Sequence, residues 1–244
     1  MAGSTHTTPG FKLKDILLWE DEDYFAINKP PFISTLEDRN DPVHLLALAK
    51  AYCAKAQACH RLDKDTSGVL IFAKNPDAYR NLSIQFEKRE VKKIYHAVVD
   101  GIHDFKEQLV DAPIARNDDG TVSIRKSDGK SAQTYFTTLE VYRGHSLIEC
   151  RPITGRMHQI RAHLALLKAS ITGDEQYGGK PFLLSSIKRS FNLKRNTEEQ
   201  PIMKRMALHA KSIAFFNLKG NWIDLDAPYP KDFQALIRQL TLNR

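Results

Sequence analysis

Short apolar runs, broken at regular intervals by Gly, Pro, Asn and Asp, dominate the patterning of this chain. Ile16 to Trp19 and Tyr24 to Ile27 flank an acidic turn at residues 20–23, which predicts two strands around a turn. Lys29-Pro30-Pro31 ends the second, because proline brings no amide to a ladder. Residues 41–58 carry Val43, Leu45, Leu46, Leu48, Ala49 and Tyr52 at helical spacing, and Asp41-Pro42 suits the start of a helix. Residues 69–73 are uninterruptedly apolar, as in a buried strand, and Asn75-Pro76-Asp77 caps a helix running to about residue 89. Strands follow at 95–99, 134–142 and 147–150, and turn signals around residues 121–125 predict a hairpin arm within 115–131. Residues 157–167 form a short amphipathic helix with Ile160 and Leu164 inward; strands at 212–217 and 222–225 and a helix at 231–240 close the chain. Strands and helices intersperse without a βαβ repeat, so the expected class is α+β.

No internal repeat or Gly/Ser-rich linker divides the 244 residues, which read as one domain from 15 to 244 behind a disordered or extended residue 1–14 lead. No apolar run approaches membrane-spanning length, and residues 1–10 lack a signal core, so a cytoplasmic protein is expected. Cys53, Cys59 and Cys150 form no CxxC pair and read as reduced thiols rather than zinc ligands. Lys and Arg number 36 against 29 Asp and Glu, a net +7 compatible with a polyanionic partner. Most of that excess lies in one stretch. Residues 180–205 hold Lys180, Lys188, Arg189, Lys194, Arg195, Lys204 and Arg205 against Glu198 and Glu199. With little apolar periodicity, the stretch reads as a surface insertion contacting phosphates, against the plainer reading of a solvated face.

The densest polar run is His60-Arg61-Leu62-Asp63-Lys64-Asp65-Thr66-Ser67-Gly68, leading straight into the apolar strand at 69–73. Asp65 to Gly68 would by themselves make a turn. His60, Arg61 and Asp63 exceed what a turn needs, and a carboxylate beside a guanidinium on a loop suits an active site as well as a structural ion pair.

This run resembles the HRLDxxTSG signature of the RluA family of RNA pseudouridine synthases, and other segments agree in order and spacing. DEDYFAINKP at 21–30 is similar to the family's opening block, and VKKIYHAVVDG at 91–101 to its K-x-Y block. GRMHQIRAHLALLKASITGDEQYG at 155–178 resembles the GRTHQIR…GD…YG block, and Leu208-His209-Ala210 the late LHA strand. Three positions depart from the pattern: Met157 where Thr is usual, Phe32 where Gly is common, and Lys168-Ala169-Ser170 in place of Gly-x-Pro. All concern loop shape rather than a charged position.

The resemblance implies a mixed, mostly antiparallel central sheet flanked by helices, with a central catalytic cleft. It also implies isomerisation of uridine in rRNA or tRNA by a compact, monomeric member lacking an S4 domain. No metal or cofactor is required. Asp63 is then the essential carboxylate, Arg161 the arginine that pairs with it, and Tyr95 the residue stacking on the base and handling the C5 proton. Arg61 helps extrude the nucleotide. Lys29, His60, Thr66, Arg156, His158, Lys188, Arg189, Lys194 and Arg195 are the further RNA-binding candidates. A catalytically silent RNA-binding protein of the same fold is the alternative; retention of Arg61, Asp63, Tyr95 and Arg161 together argues against it.

Overall fold

The computed structural model describes residues 10–37, 43–188, 191–193 and 197–244. In chain order the described strands are β1 (Leu17–Glu20), β2 (Tyr24–Lys29), β3 (Gln57–Ala58), β4 (Ser67–Ala73), β5 (Lys92–Asp100), β6 (Gln108–Asp111), β7 (Ile114–Arg116), β8 (Val122–Ile124), β9 (Gln133–Tyr142), β10 (His145–Pro152), β11 (Leu208–Phe216) and β12 (Trp222–Asp226). The described α-helices are α1 (Leu45–Tyr52), α2 (Pro76–Glu87), α3 (Gln159–Leu166) and α4 (Lys231–Leu242). The class is α+β, with mostly antiparallel pairing. No described helix is long and apolar enough to cross a membrane. The described residues divide into two compact units, one running to Lys92 and including Ala210–Pro228, the other comprising Lys93–His209 and Tyr229–Arg244.

In the first unit β1 and β2 form the expected hairpin, its turn held by Asp21 Oδ1, which accepts from the amides of Asp23 (2.8 Å) and Tyr24 (2.7 Å). β4 pairs antiparallel with β2 from Ala73 opposite Tyr24 to Gly68 opposite Lys29. Every residue of β4 is buried, which is why its sequence does not alternate. Phe25 stacks on Phe72 at 5.1 Å between ring centres, and Tyr24 meets Phe215 edge-on at 5.4 Å. Asn75 caps α2 as expected, its side chain accepting from the Ala78 amide at 2.8 Å.

Several boundaries differ from expectation, among them the strand expected at 212–217, which runs Leu208–Phe216, and two at the start of the chain. The helix expected over 41–58 is described from Leu45 to Tyr52; its Asp41-Pro42 start lies outside the described residues. It ends early because Cys53 turns extended and Gln57–Ala58 pairs with β4. The 1–14 lead falls outside the described residues up to position 9, but Leu13 is buried in a one-turn 3₁₀ helix, Leu13–Ile16.

In the second unit the strand order is β5-β10-β9-β6, and β7 and β8 make the expected arm hairpin. Its core gathers Val98, Phe136, Ile148, Leu164, Phe182 and Phe233, with Phe233, Leu236 and Leu240 supplied by one face of α4. The described residues of 180–205 are not simply a surface insertion. Phe182, Ile187 and Met203 are buried in that core, and Arg205 is buried against Asp232, Nε to Oδ2 at 2.7 Å. Apolar anchors spaced irregularly over a segment leave no period to read in sequence.

Two of the three departures have a backbone meaning. Phe32 adopts φ +66° and Lys168 φ +57°, the left-handed region that glycine enters freely and other residues avoid. Lys168 ends α3 in a Schellman arrangement: its amide donates to Ala165 O and that of Ala169 to Leu164 O, both at 2.9 Å.

Candidate active site

The run from His60 to Gly68 folds as a loop fastened from several directions within the first unit. The Cys59 amide donates to Ile71 O (3.0 Å), and the Ile71 amide to His60 Nε2 (3.2 Å). Thr35 holds both backbone groups of Leu62, accepting from its amide at 3.1 Å and donating its hydroxyl to the carbonyl at 3.0 Å. The Thr66 amide donates to Asp63 O at 3.1 Å, closing the turn. Lys29 is fully buried, and its ammonium donates to the carbonyls of Pro30 (3.1 Å), Lys64 (2.9 Å) and Thr66 (2.7 Å). Gly68 completes the fastening: at φ +117° it lies so close to β11 that a Cβ would stand 2.1 Å from Ala210 O. No side chain fits there.

This geometry sorts the candidates. Arg61 is exposed and Asp63 half-buried. Lys29 and Thr66 were expected to bind RNA, but both are buried. The Lys29 charge is directed at loop carbonyls, and the Thr66 hydroxyl is a buried oxygen with no hydrogen-bond partner among the described residues. Lys29 therefore positions the loop that carries Asp63. His60 is half-buried, with its ring 5.5 Å from that of Phe86 and Nε2 engaged by β4.

In the second unit Tyr95 lies half-buried on β5, opposite Cys150 of β10 and packed on the core. Lys93 precedes it by two residues, hence on the same strand face, and donates to Thr154 O at 3.2 Å. Burial pulls the Lys93 amine down to about 8. The loop before α3 is organised by Gln159, whose Oε1 accepts from Thr154 Oγ1 (2.7 Å) and the Arg156 amide (3.0 Å). Its Nε2 donates to Gln133 O and Thr134 Oγ1, both at 2.9 Å. Arg156 is exposed, with Nε donating to Ser131 O at 3.1 Å.

Arg161 is buried in the first turn of α3. Its Nε and Nη2 donate to Asp174 Oδ2 and Oδ1 at 2.6 and 2.7 Å, a bidentate pair, and Nη2 also reaches Gln176 Oε1 at 2.8 Å. The guanidinium stacks over Tyr177, 4.6 Å from the ring centre. Tyr177 is itself fixed, its hydroxyl accepting from the Val122 amide at 2.9 Å and lying 3.0 Å from His158 Nδ1. His163 is buried between Thr134 Oγ1 (3.0 Å) and Ala112 O (2.9 Å), and burial lowers its pKa, so it is a neutral structural histidine.

Lys188 is exposed; Arg189, Lys194 and Arg195 lie outside the described residues. Sequence reasoning passed over Asp174, Gln176, Tyr177, Lys93 and Thr35. Four of them stood inside matched blocks, and a carboxylate in the Gly173–Gly178 stretch was a visible partner for a buried arginine. Thr35 gave no signal, because its bond to Leu62 joins residues 27 positions apart.

A family model described as RNA pseudouridylate synthase matches residues 23–166. The ribosomal large subunit pseudouridine synthase D of Xanthomonas campestris pv. campestris is 35% identical over 248 residues, spanning 97% of this chain and 72% of its own. The enzyme of the same description from Zymomonas mobilis is 32% identical over 242 residues, spanning 93% and 73%. Among solved structures, human RNA pseudouridylate synthase domain containing 4 superposes with a TM-score of 0.72 at 26% identity, covering 94% of each chain. With the His60–Gly68 run folded as a fastened loop and these likenesses extending over almost its whole length, the chain belongs to the RluA family of RNA pseudouridine synthases.

Proposed function

We propose that this enzyme converts particular uridines of structured RNA, ribosomal or transfer, to pseudouridine, with Asp63 as the essential carboxylate and without metal or redox cofactor. In that reaction the N1–C1′ bond breaks, the freed uracil turns in place, C5 bonds to C1′, and the C5 proton leaves. Asp63 acts on the ribose or its glycosidic carbon in the ionised form, with Arg161 as its supporting cation. Tyr95 stacks on the uracil and handles the C5 proton. Arg61, exposed beside Asp63, helps hold the nucleotide out of its stack. The observation that carries this reading is the loop itself. Lys29, Thr35 and the Gly68 approach to β11 fix the backbone around a half-buried carboxylate, the preorganisation a reacting group needs. The same reading has the protein working as a monomer in the cytoplasm, with the exposed Arg156 and the half-buried His158 at the RNA.

The test is Asp63→Asn with RNA tritiated at uridine C5. Release of tritium should cease while affinity for the RNA stays within a few-fold. Appreciable turnover by this variant would remove Asp63 from the role. Unmeasurable turnover by the wild type against total RNA from a strain lacking the gene would favour the silent RNA-binding alternative.

A further inference from the structure

We propose that Phe32 is a base-stacking residue, taking an unpaired RNA base that neighbours the uridine undergoing isomerisation; this deepens the reading above and rests on it for the identity of the RNA. One exposed phenylalanine needs no explanation by itself. This one stands at φ +66° with 52% of its surface in water. A glycine would hold the same backbone without strain, and the exposed ring contributes little to folding. Both effects favour a smaller residue for stability. Neither accounts for the aromatic.

Its surroundings do. Ile33, the next residue, is buried, Ser34 bridges to His44, and Thr35 grips both backbone groups of Leu62. On the other side, Pro30 O accepts from the buried Lys29 ammonium that also binds Lys64 O and Thr66 O. Phe32 therefore rides on a short segment tied at both ends to the loop carrying Asp63. That loop exposes the cations Arg61 and Lys64. An exposed ring on a support tied to a loop that exposes cations suits single-stranded nucleic acid: the charges meet phosphates and the ring takes the face of a base.

The test compares wild type, Phe32→Gly and Phe32→Tyr on C5-tritiated total RNA from a strain lacking the gene, with melting temperatures and filter binding of the same RNA. Phe32→Gly should melt higher than wild type, yet raise KM and weaken binding about tenfold, within the range known for loss of one stacked base, with kcat changed less than twofold. Phe32→Tyr should restore KM. Unchanged KM and binding in the glycine variant would overturn the proposal, and so would an equal loss with tyrosine. If the wild type releases no tritium, the pseudouridylation reading fails by itself. Filter binding then still decides for Phe32: weaker in the glycine variant supports it, equal overturns it.

Discussion

Removing the Asp174 carboxylate tests how the enzyme holds Arg161. Both side chains are buried, 9% and 2% exposed, and two charge-assisted hydrogen bonds of 2.6 and 2.7 Å join them. Asp174→Asn keeps the shape and removes the charge, leaving a guanidinium without that compensation. Loss of one partner from a buried pair costs about 3–5 kcal/mol. Gln176 and the Tyr177 ring remain in contact, so the lower end, about 3 kcal/mol, is expected. At roughly 2–4 °C per kcal/mol for a chain of this size, melting should fall by about 6–12 °C. Arg161 would also lose its fixed orientation, and turnover should drop about tenfold or more, the factor that 1.4 kcal/mol of lost transition-state stabilisation produces. The assay is thermal melting together with tritium release, repeated for Arg161→Leu and for Arg161→Leu/Asp174→Leu. The double variant should be less destabilised than the sum of its parts, since neither member of the Arg161–Asp174 pair is left buried without the other. Melting of Asp174→Asn within about 2 °C of wild type, or strictly additive stabilities, would refute the reasoning.

Three further outcomes are expected. Lys168→Gly should stabilise by about 1 kcal/mol, because an exposed side chain is removed from a left-handed position; a urea midpoint that fails to rise at constant m-value would contradict this. Lys93 is held down to about 8 from 10.5, so between those pH values the unfolded chain binds more protons than the folded one, and stability rises with pH. That rise is at most about 3 kcal/mol, and Lys93→Met should lack it; identical pH–stability slopes in the two proteins would count against a buried Lys93 amine. Changing Lys188, Arg189, Lys194 and Arg195 to Gln should lower the slope of log affinity against log salt by up to about 3 if the segment contacts phosphates, and superimposable slopes would show that it does not.

How much was legible in the sequence depends on the range of the interaction involved. The β1–β2 hairpin, the Asn75 cap of α2, the fully apolar β4 and the amphipathic α4 are set by neighbours in sequence, so periodicity and turn chemistry locate them. The His60–Gly68 run is a local signature as well, and it named Arg61 and Asp63. Roles that depend on distant partners stayed hidden. Lys29 reads in sequence as an RNA-binding candidate, but folding directs its ammonium at carbonyls 35 and 37 residues away. Arg205 counted toward a basic surface, but Asp232 holds it in the interior. Gly68 read as an ordinary turn glycine, whereas the reason for it is Ala210, brought alongside only by the sheet. Sequence by itself determined most of the elements, the family and the candidate residues, because these rest on local pattern. Tertiary structure alone decided which charges face inward and which backbone positions are strained, because both depend on what long-range packing brings against each residue.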